Sequence, residues 1–552
     1  MKTKIESINT KSIGVFAFLL FSANLSIFSQ EVVYPYFYSV YFSDKGDNSI
    51  SGYSASDLLS IRAIARRQKT GISVPDLRDL PVNKSYLDKI SLLGLKLHTT
   101  SRWMNTALFK SQNPFDLNVL RSLPFISNVI TVKRPGAKGG HGNKLDFQVS
   151  QADFPSYDLP LTMLNGSSMH TAGYDGRNVL IAILDGGFLN SDVISSLAEL
   201  RNRKGIRVTY DFVKKNKSVY NASTHGTAVL SVLAGSIPGT IEGTAPGADY
   251  LLLKTEDVDS EFPCEEDFWA AGAEYADSAG ADIISSSLGY FNFDDPAFNY
   301  KLSDLDGNTA FITRVADIAA SKGILVLNSA GNERNTSWKR IIFPADGYSV
   351  EAVGAVDGNK LISDFSSAGP SADRRIKPDN VTMGVSVTVQ TSNNITGKAS
   401  GTSFSCPVLS GFAACLLQAV PQAANNDIIT VLHKSADRYS SPDSLNGYGI
   451  PNILIALDEL QKKYIKTPED GILVYPNPTS GTFKLVFYSS PGNLAIEIIS
   501  TTGKIIYRKS YDNYPGRTID IAALQHREEG VYLLRITDPS GIRVRKVIKI
   551  NN

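Results

Sequence analysis

Four near-continuous apolar runs, at 179–184, 250–253, 282–284 and 324–327, constrain this chain more than any other feature. They do not alternate polar with apolar residues, so both faces of each strand must be covered. Around them, 228–234, 268–279 and 310–322 read as helices. Buried strands interleaved with helices predict an α/β domain, a parallel sheet flanked by helices. In such sheets the sites gather at the carboxyl ends of the strands. The block so defined spans 150–462.

Other segments have different patterns. Residues 31–135 alternate strand-like stretches (36–42, 96–110, 128–132) with helix-like ones (57–67, 114–123), which predicts a small α+β domain. A linker follows over 136–149, and its opening stretch, 136–142, holds four glycines beside Ala137, Lys138 and His141. Such a segment is flexible and protease-accessible. A polar stretch at 463–470 leads to a last block, 471–552. There short strands at 483–488, 495–500, 504–508, 531–536 and 542–550 predict a small antiparallel β-sandwich.

Residues 1–30 read as a secretory signal: Lys2, Lys4 and Lys11 precede an uncharged apolar stretch from Ile13 to Ala23, and Ser29 offers a small cleavage residue. That stretch is shorter than the ~20 residues of a membrane span, and no later window has about 18 consecutive apolar residues. The expectation is an exported protein with no membrane span. Basic residues number 55 against 54 acidic, a formal charge of +1, so the chain as a whole is no electrostatic trap for nucleic acid. Six histidines and three cysteines, with no CxxC pair, exclude a metal tract and a disulfide framework. Cys406 and Cys415 share one helical run and stand about 13 Å apart, beyond disulfide reach. Cys264 could pair with either, but the preferred reading is three buried free thiols.

Three motifs fall at turns of the α/β block. Asp185-Gly186-Gly187 ends a buried strand, Thr224-His225-Gly226-Thr227 opens an apolar helix, and Ser400-Gly401-Thr402-Ser403-Phe404-Ser405-Cys406-Pro407 opens another. A serine at a helix N-terminus sits where backbone N–H groups favour developing negative charge. Pro407 is tolerable only near the first turn, which places the helix start close to Ser403. Acyl transfer by serine needs a hydroxyl, a base for its proton and a carboxylate that orients the base. Ser329-Ala330-Gly331-Asn332, after the strand at 324–327, offers a side-chain amide for an oxyanion. Each piece alone is more often a cap or a turn residue; their joint presence carries the argument.

In Asp…His…Ser order, these motifs resemble the subtilisin-like serine proteases. The resemblance covers about 310 residues. It implies Ser403 as nucleophile, His225 as general base and acid, Asp185 as orienting carboxylate and Asn332 as oxyanion donor. Loss of such a donor in subtilisin, a member of that family, costs about 10²–10³ in rate. Ser287, Leu288 and Gly289 resemble the segment that pairs with substrate backbone. The departure is Asp185-Gly186-Gly187, where the family more often has Thr or Ser after the aspartate. Competing chemistries fail: Ser405 occupies the last glycine of a hydrolase elbow, and there is no His-Glu-x-x-His and no Walker loop. The run from Asp304 to Asn308 lacks the terminal glutamate of a calcium loop and reads as a turn. No cofactor is required and no metal ligand is assigned, although calcium is common in the family.

The position of 31–135 matches that of a subtilase propeptide, which implies a zymogen restrained by its own N-terminal domain and cut in or near 136–142. Tyr475-Pro-Asn-Pro-Thr-Ser-Gly481, Gly530-Val-Tyr-Leu-Leu-Arg535 and a basic final strand with Arg543, Arg545, Lys546 and Lys549 resemble the type A sorting domain of the type IX secretion system. The expectation is an exported serine endopeptidase acting on proteins or peptides, with the type IX machinery as partner and a secreted or surface location. The alternative is a non-catalytic surface-binding protein on a protease scaffold.

Overall fold

A computed structural model describes residues 35–135, 145, 147–150, 158–464 and 471–550. The signal expected over 1–30, the glycine-rich stretch 136–142 and most of the linker at 463–470 lie outside the described residues.

The central sheet has seven strands, all parallel, in the spatial order Asn380–Met383, Val350–Val356, Leu325–Ser329, Ile283–Ser286, Leu180–Asp185, Asp249–Lys254, Ile206–Asp211. The strand Leu180–Asp185 is buried throughout, and its side chains alternate between two cores. Ile181 and Ile183 join one cluster with the helices His225–Ala234 and Thr402–Ala419; Leu180, Ala182 and Leu184 join the other with Cys264–Ala279 and Phe311–Ser321. Chain order reverses about this strand, because later strands add on both of its sides. That reversal opens a crevice at its carboxyl end, where Asp185 stands.

The N-terminal unit is a four-stranded antiparallel sheet, in the order Lys96–Ser101, Thr106–Ser111, Tyr36–Phe42, Ile126–Lys133. Period-two alternation splits the strand Tyr36–Phe42 between two masters. Tyr38, Val40 and Phe42 pack into the unit's own core, whereas Phe37 joins the core beneath the helix Cys264–Ala279. The strand-like stretch expected at 96–110 is thus two strands folded about a turn, where Asn105 has φ 53°. The amphipathic stretch at 57–67 is broken as well: Ser60 caps a fresh helix, Ile61–Lys69, its hydroxyl accepting from the Ala63 N–H.

At the C-terminal end, three strands (Ile472–Tyr475, Phe483–Phe487, Thr518–Ile521) and four strands (Ile505–Tyr514, Gly492–Ser500, Gly530–Asp538, Gly541–Lys549) form two antiparallel sheets around one apolar cluster. All three cysteines are buried free thiols. Among the described residues, the helix Thr402–Ala419 is long and apolar enough to cross a membrane by composition, yet it is buried in the protein core.

Candidate active site

Asp185 ends its strand fully buried, and His225 begins a helix directly opposite. The imidazole Nδ1 lies 3.0 and 2.9 Å from the two carboxylate oxygens. A carboxylate only accepts, so Nδ1 carries a proton toward Asp185 and Nε2 faces away from it. The motif around the histidine is explained by this approach. A Cβ at Gly226 would stand 2.4 Å from the Gly187 carbonyl oxygen and 3.0 Å from Asp185 Cγ, so only glycine lets the two elements meet. Thr227 Oγ1 donates to the Leu189 carbonyl at 2.8 Å, which ties down the loop after Asp185.

The departure at Asp185-Gly186-Gly187 has a local account. Gly186 N–H donates to Asp185 Oδ1 at 2.7 Å, supplying an outer hydrogen bond from the backbone. A Cβ at Gly186 would meet Leu145 Cδ1 at 2.2 Å, so the missing side chain makes room for a residue of the linker.

Ser403 is the second residue of its helix, preceded by Gly401 at φ +153°, a backbone value that excludes most side chains. Thr402 explains the middle of the motif. Its N–H and hydroxyl both donate to Asn332 Oδ1, at 2.9 and 3.0 Å. The amide orientation is thereby fixed, with Nδ2 left to donate elsewhere. The helix starts at Thr402, close to Ser403 as Pro407 suggested, and the proline itself falls in the second turn. Proline cannot bond the Ser403 carbonyl four residues back; the Ser287 hydroxyl donates to that carbonyl instead, at 2.9 Å.

Ser403, His225, Asn332 and residues Ser287, Leu288 and Gly289 border one cleft of about 170 Å³. Ser403 Oγ donates to the Ser287 carbonyl at 3.4 Å, a long contact, rather than to His225. The Leu288 carbonyl is already taken by Asn328 Nδ2 at 2.9 Å, which limits what that segment offers a ligand. The other histidines with described contacts are engaged elsewhere: His98 with the Phe212 carbonyl, His170 with Glu242, His433 with Glu351. Asp306 accepts from the N–H groups of Asn308 and Thr309, the turn expected there.

The sequence pattern of the subtilase family matches residues 176–450. Subtilisin E of Bacillus subtilis is 30% identical over 299 residues, 54% of this chain and 70% of that protein. A subtilisin of Bacillus pumilus is 30% identical over 299 residues and is 97% covered. The chain belongs to the subtilase family. The Bacteroidota peptidase S8 propeptide pattern matches 37–144, and the secretion system C-terminal sorting domain matches 473–551. This subtilase is therefore a serine endopeptidase with a propeptide and a sorting tail for type IX export to the surface or medium. Among solved structures, MycP1 from Mycobacterium smegmatis is similar with TM-score 0.45 at 19% identity, over 57% of this chain and 89% of that one.

The cleft of this subtilase also holds residues that motif reading passed over. Leu145 and Phe147 lie in it, from a stretch read only as linker. The Phe147 ring stands edge-on to His225 at 5.8 Å and to Phe404 at 5.2 Å. Ser150 then pairs with Lys398, in both directions, at 3.0 and 2.9 Å. The alternation Leu145-x-Phe147-x-Val149 was a visible strand signal. Ile342 and Glu333 complete the lining and carry no sequence signal of their own.

Proposed function

We propose that this subtilase cleaves peptide bonds through an acyl-enzyme on Ser403. The observation that carries the reading is the buried Asp185–His225 pair, whose imidazole shares a cleft with Ser403 and with an amide locked by Thr402. Catalytic contacts of this kind commonly tighten only with substrate bound, and in this reading Ser403 Oγ leaves its long contact with Ser287 for His225. Oγ attacks the carbonyl carbon while its proton passes to Nε2. The oxyanion receives a hydrogen bond from Asn332 Nδ2 at the positive end of the helix Thr402–Ala419. The imidazolium, steadied by Asp185, gives its proton to the leaving amine. Water repeats the sequence to release the acid. No cofactor enters these steps. Residues 287–289 border the acyl side of the substrate.

The propeptide acts as inhibitor in this reading, and Leu145 and Phe147, just beyond it in the chain, already line the cleft. A fluorophosphonate probe tests the mechanism. Labelling of the wild type and loss of labelling in Ser403→Ala are expected; equal labelling of both, or none, would refute it and favour a binding protein on a protease scaffold.

A further inference from the structure

We infer that Ile342 closes the pocket for the residue whose carbonyl is attacked, so that this enzyme cleaves after small residues: glycine, alanine and serine. The inference rests on the serine-protease reading above. His225 must reach the leaving amine, and it faces Phe147 and Phe404. The residue contributing the carbonyl lies instead beside 329–332, which carries the oxyanion donor, and 287–289, which borders the cleft next to Ser403.

Each of those walls presents a glycine, and Ile342 fills the gap between them. A Cβ at Gly289 would stand 2.1 Å from Ile342 Cδ1, and one at Gly331 would stand 3.0 Å from it. Ile342 is 8% exposed, and its N–H donates to the Ala330 carbonyl at 3.1 Å. The next residue, Phe343, exchanges two backbone hydrogen bonds with Tyr290, at 3.0 and 3.2 Å. The backbone that carries the isoleucine is thus tied to both walls, which fixes where its side chain starts. The whole cleft, including the space beside His225, amounts to about 170 Å³. Glu333, also in the lining, accepts from Thr336 Oγ1 at 3.0 Å, and burial raises its pKa against that hydrogen bond.

A pocket discriminates by roughly 10–200-fold per misfitting methylene, and a leucine or phenylalanine here exceeds alanine by several. The test takes the full-length protein, allowed to mature, and a series of tetrapeptide p-nitroanilides that differ only in the residue before the leaving group. Wild-type kcat/KM should be at least ~10-fold higher for alanine and serine than for leucine, phenylalanine, lysine or arginine. Ile342→Ala should raise the leucine and phenylalanine values relative to alanine by ~10-fold or more, with Ile342→Val shifting the ratio in the same direction by less. Fluorophosphonate labelling of each variant reports an intact serine independently of pocket size. Labelled wild type that cleaves large residues as readily as alanine, or labelled variants with an unchanged ratio, would overturn the inference. Absence of labelling together with absence of all cleavage would sink the protease reading, and this inference with it.

Discussion

Glu274 gives the sharpest handle on how the propeptide is held. It lies on the helix Cys264–Ala279 of the catalytic domain and is 7% exposed beneath the propeptide turn that joins two strands. Ser101 Oγ donates to it at 2.5 Å, Arg102 N–H at 3.0 Å and Trp103 N–H at 3.1 Å. Three donors thus converge on one carboxylate across the interface. Hydrogen bonds to a charged group contribute about 1.5–3 kcal/mol each, but the carboxylate also loses its water. Burial raises its pKa, with Arg102 and the three donors opposing that rise. Removing one partner of such a buried set costs about 3–5 kcal/mol, since the stranded donors find no replacement. At about 1.4 kcal/mol per decade, Glu274→Ala should weaken propeptide inhibition by two to three and a half orders of magnitude. The assay is the inhibition constant of the propeptide, added in trans to mature wild-type and variant enzyme. Catalysis should be unchanged, because the helix packs on the face of the sheet opposite to His225 and Ser403. A change under ~10-fold with full catalytic activity would refute the argument that these three donors depend on Glu274.

The same interface predicts a pH dependence. Asp267, which accepts from propeptide Ser39 at 3.2 Å, is pushed up to about 7 by burial, with that hydrogen bond opposing. In the freed enzyme its carboxyl should return toward the ordinary value of about 4. The complex therefore holds a proton that the separated enzyme has lost, and affinity should fall by up to ~tenfold per pH unit between about 4 and 7, then level off. Inhibition constants at pH 5 to 8 check this, and Asp267→Asn should flatten the slope; an unchanged slope would assign it to other groups. Elsewhere, His433 pairs with the fully buried Glu351 at 2.9 Å. Burial alone would lower the histidine pKa, but the carboxylate outweighs it and the net shift is upward. This stabilisation is complete below the unfolded value of about 6.5 and is lost as pH rises through the raised one. Thermal midpoints of Ser403→Ala protein should decline over that range, and His433→Gln should cost about 3–5 kcal/mol and remove the decline.

The sequence brought this cluster forward because it is written in contiguous motifs whose small residues have local reasons. Gly226 admits Asp185 to His225, Gly401 takes a φ few residues accept, and Thr402 locks Asn332. Val350–Val356 and Asn380–Met383 went unread although both are buried throughout, whereas the four other buried strands of the sheet were plainly visible. The strand Ile206–Asp211 was not, because it lies at the edge of the sheet, where only Asp211 is buried. Pro407 placed the helix start correctly; what it could not show is that Ser287, over a hundred residues earlier, serves the carbonyl the proline leaves unbonded. Ile342 and Glu274 act through partners brought near only by the tertiary fold, so no local pattern could mark them.

The acids of the helix Cys264–Ala279 show why such an interface is charged at all. Besides Asp267 and Glu274, Asp277 is fully buried against propeptide Arg66 and Arg67. An apolar face of this size would hold the propeptide well but would leave a sticky patch once it departed. Carboxylates reverse that balance, because water receives them readily. Breaking one partner of a buried pair is costly, whereas separating both partners into water costs little, the desolvation penalty being refunded on each side. A variant such as Glu274→Ala can therefore cripple inhibition while the intact propeptide still leaves a soluble enzyme behind. The strength seen by truncation and the ease of release are then properties of the same groups, measured against different reference states.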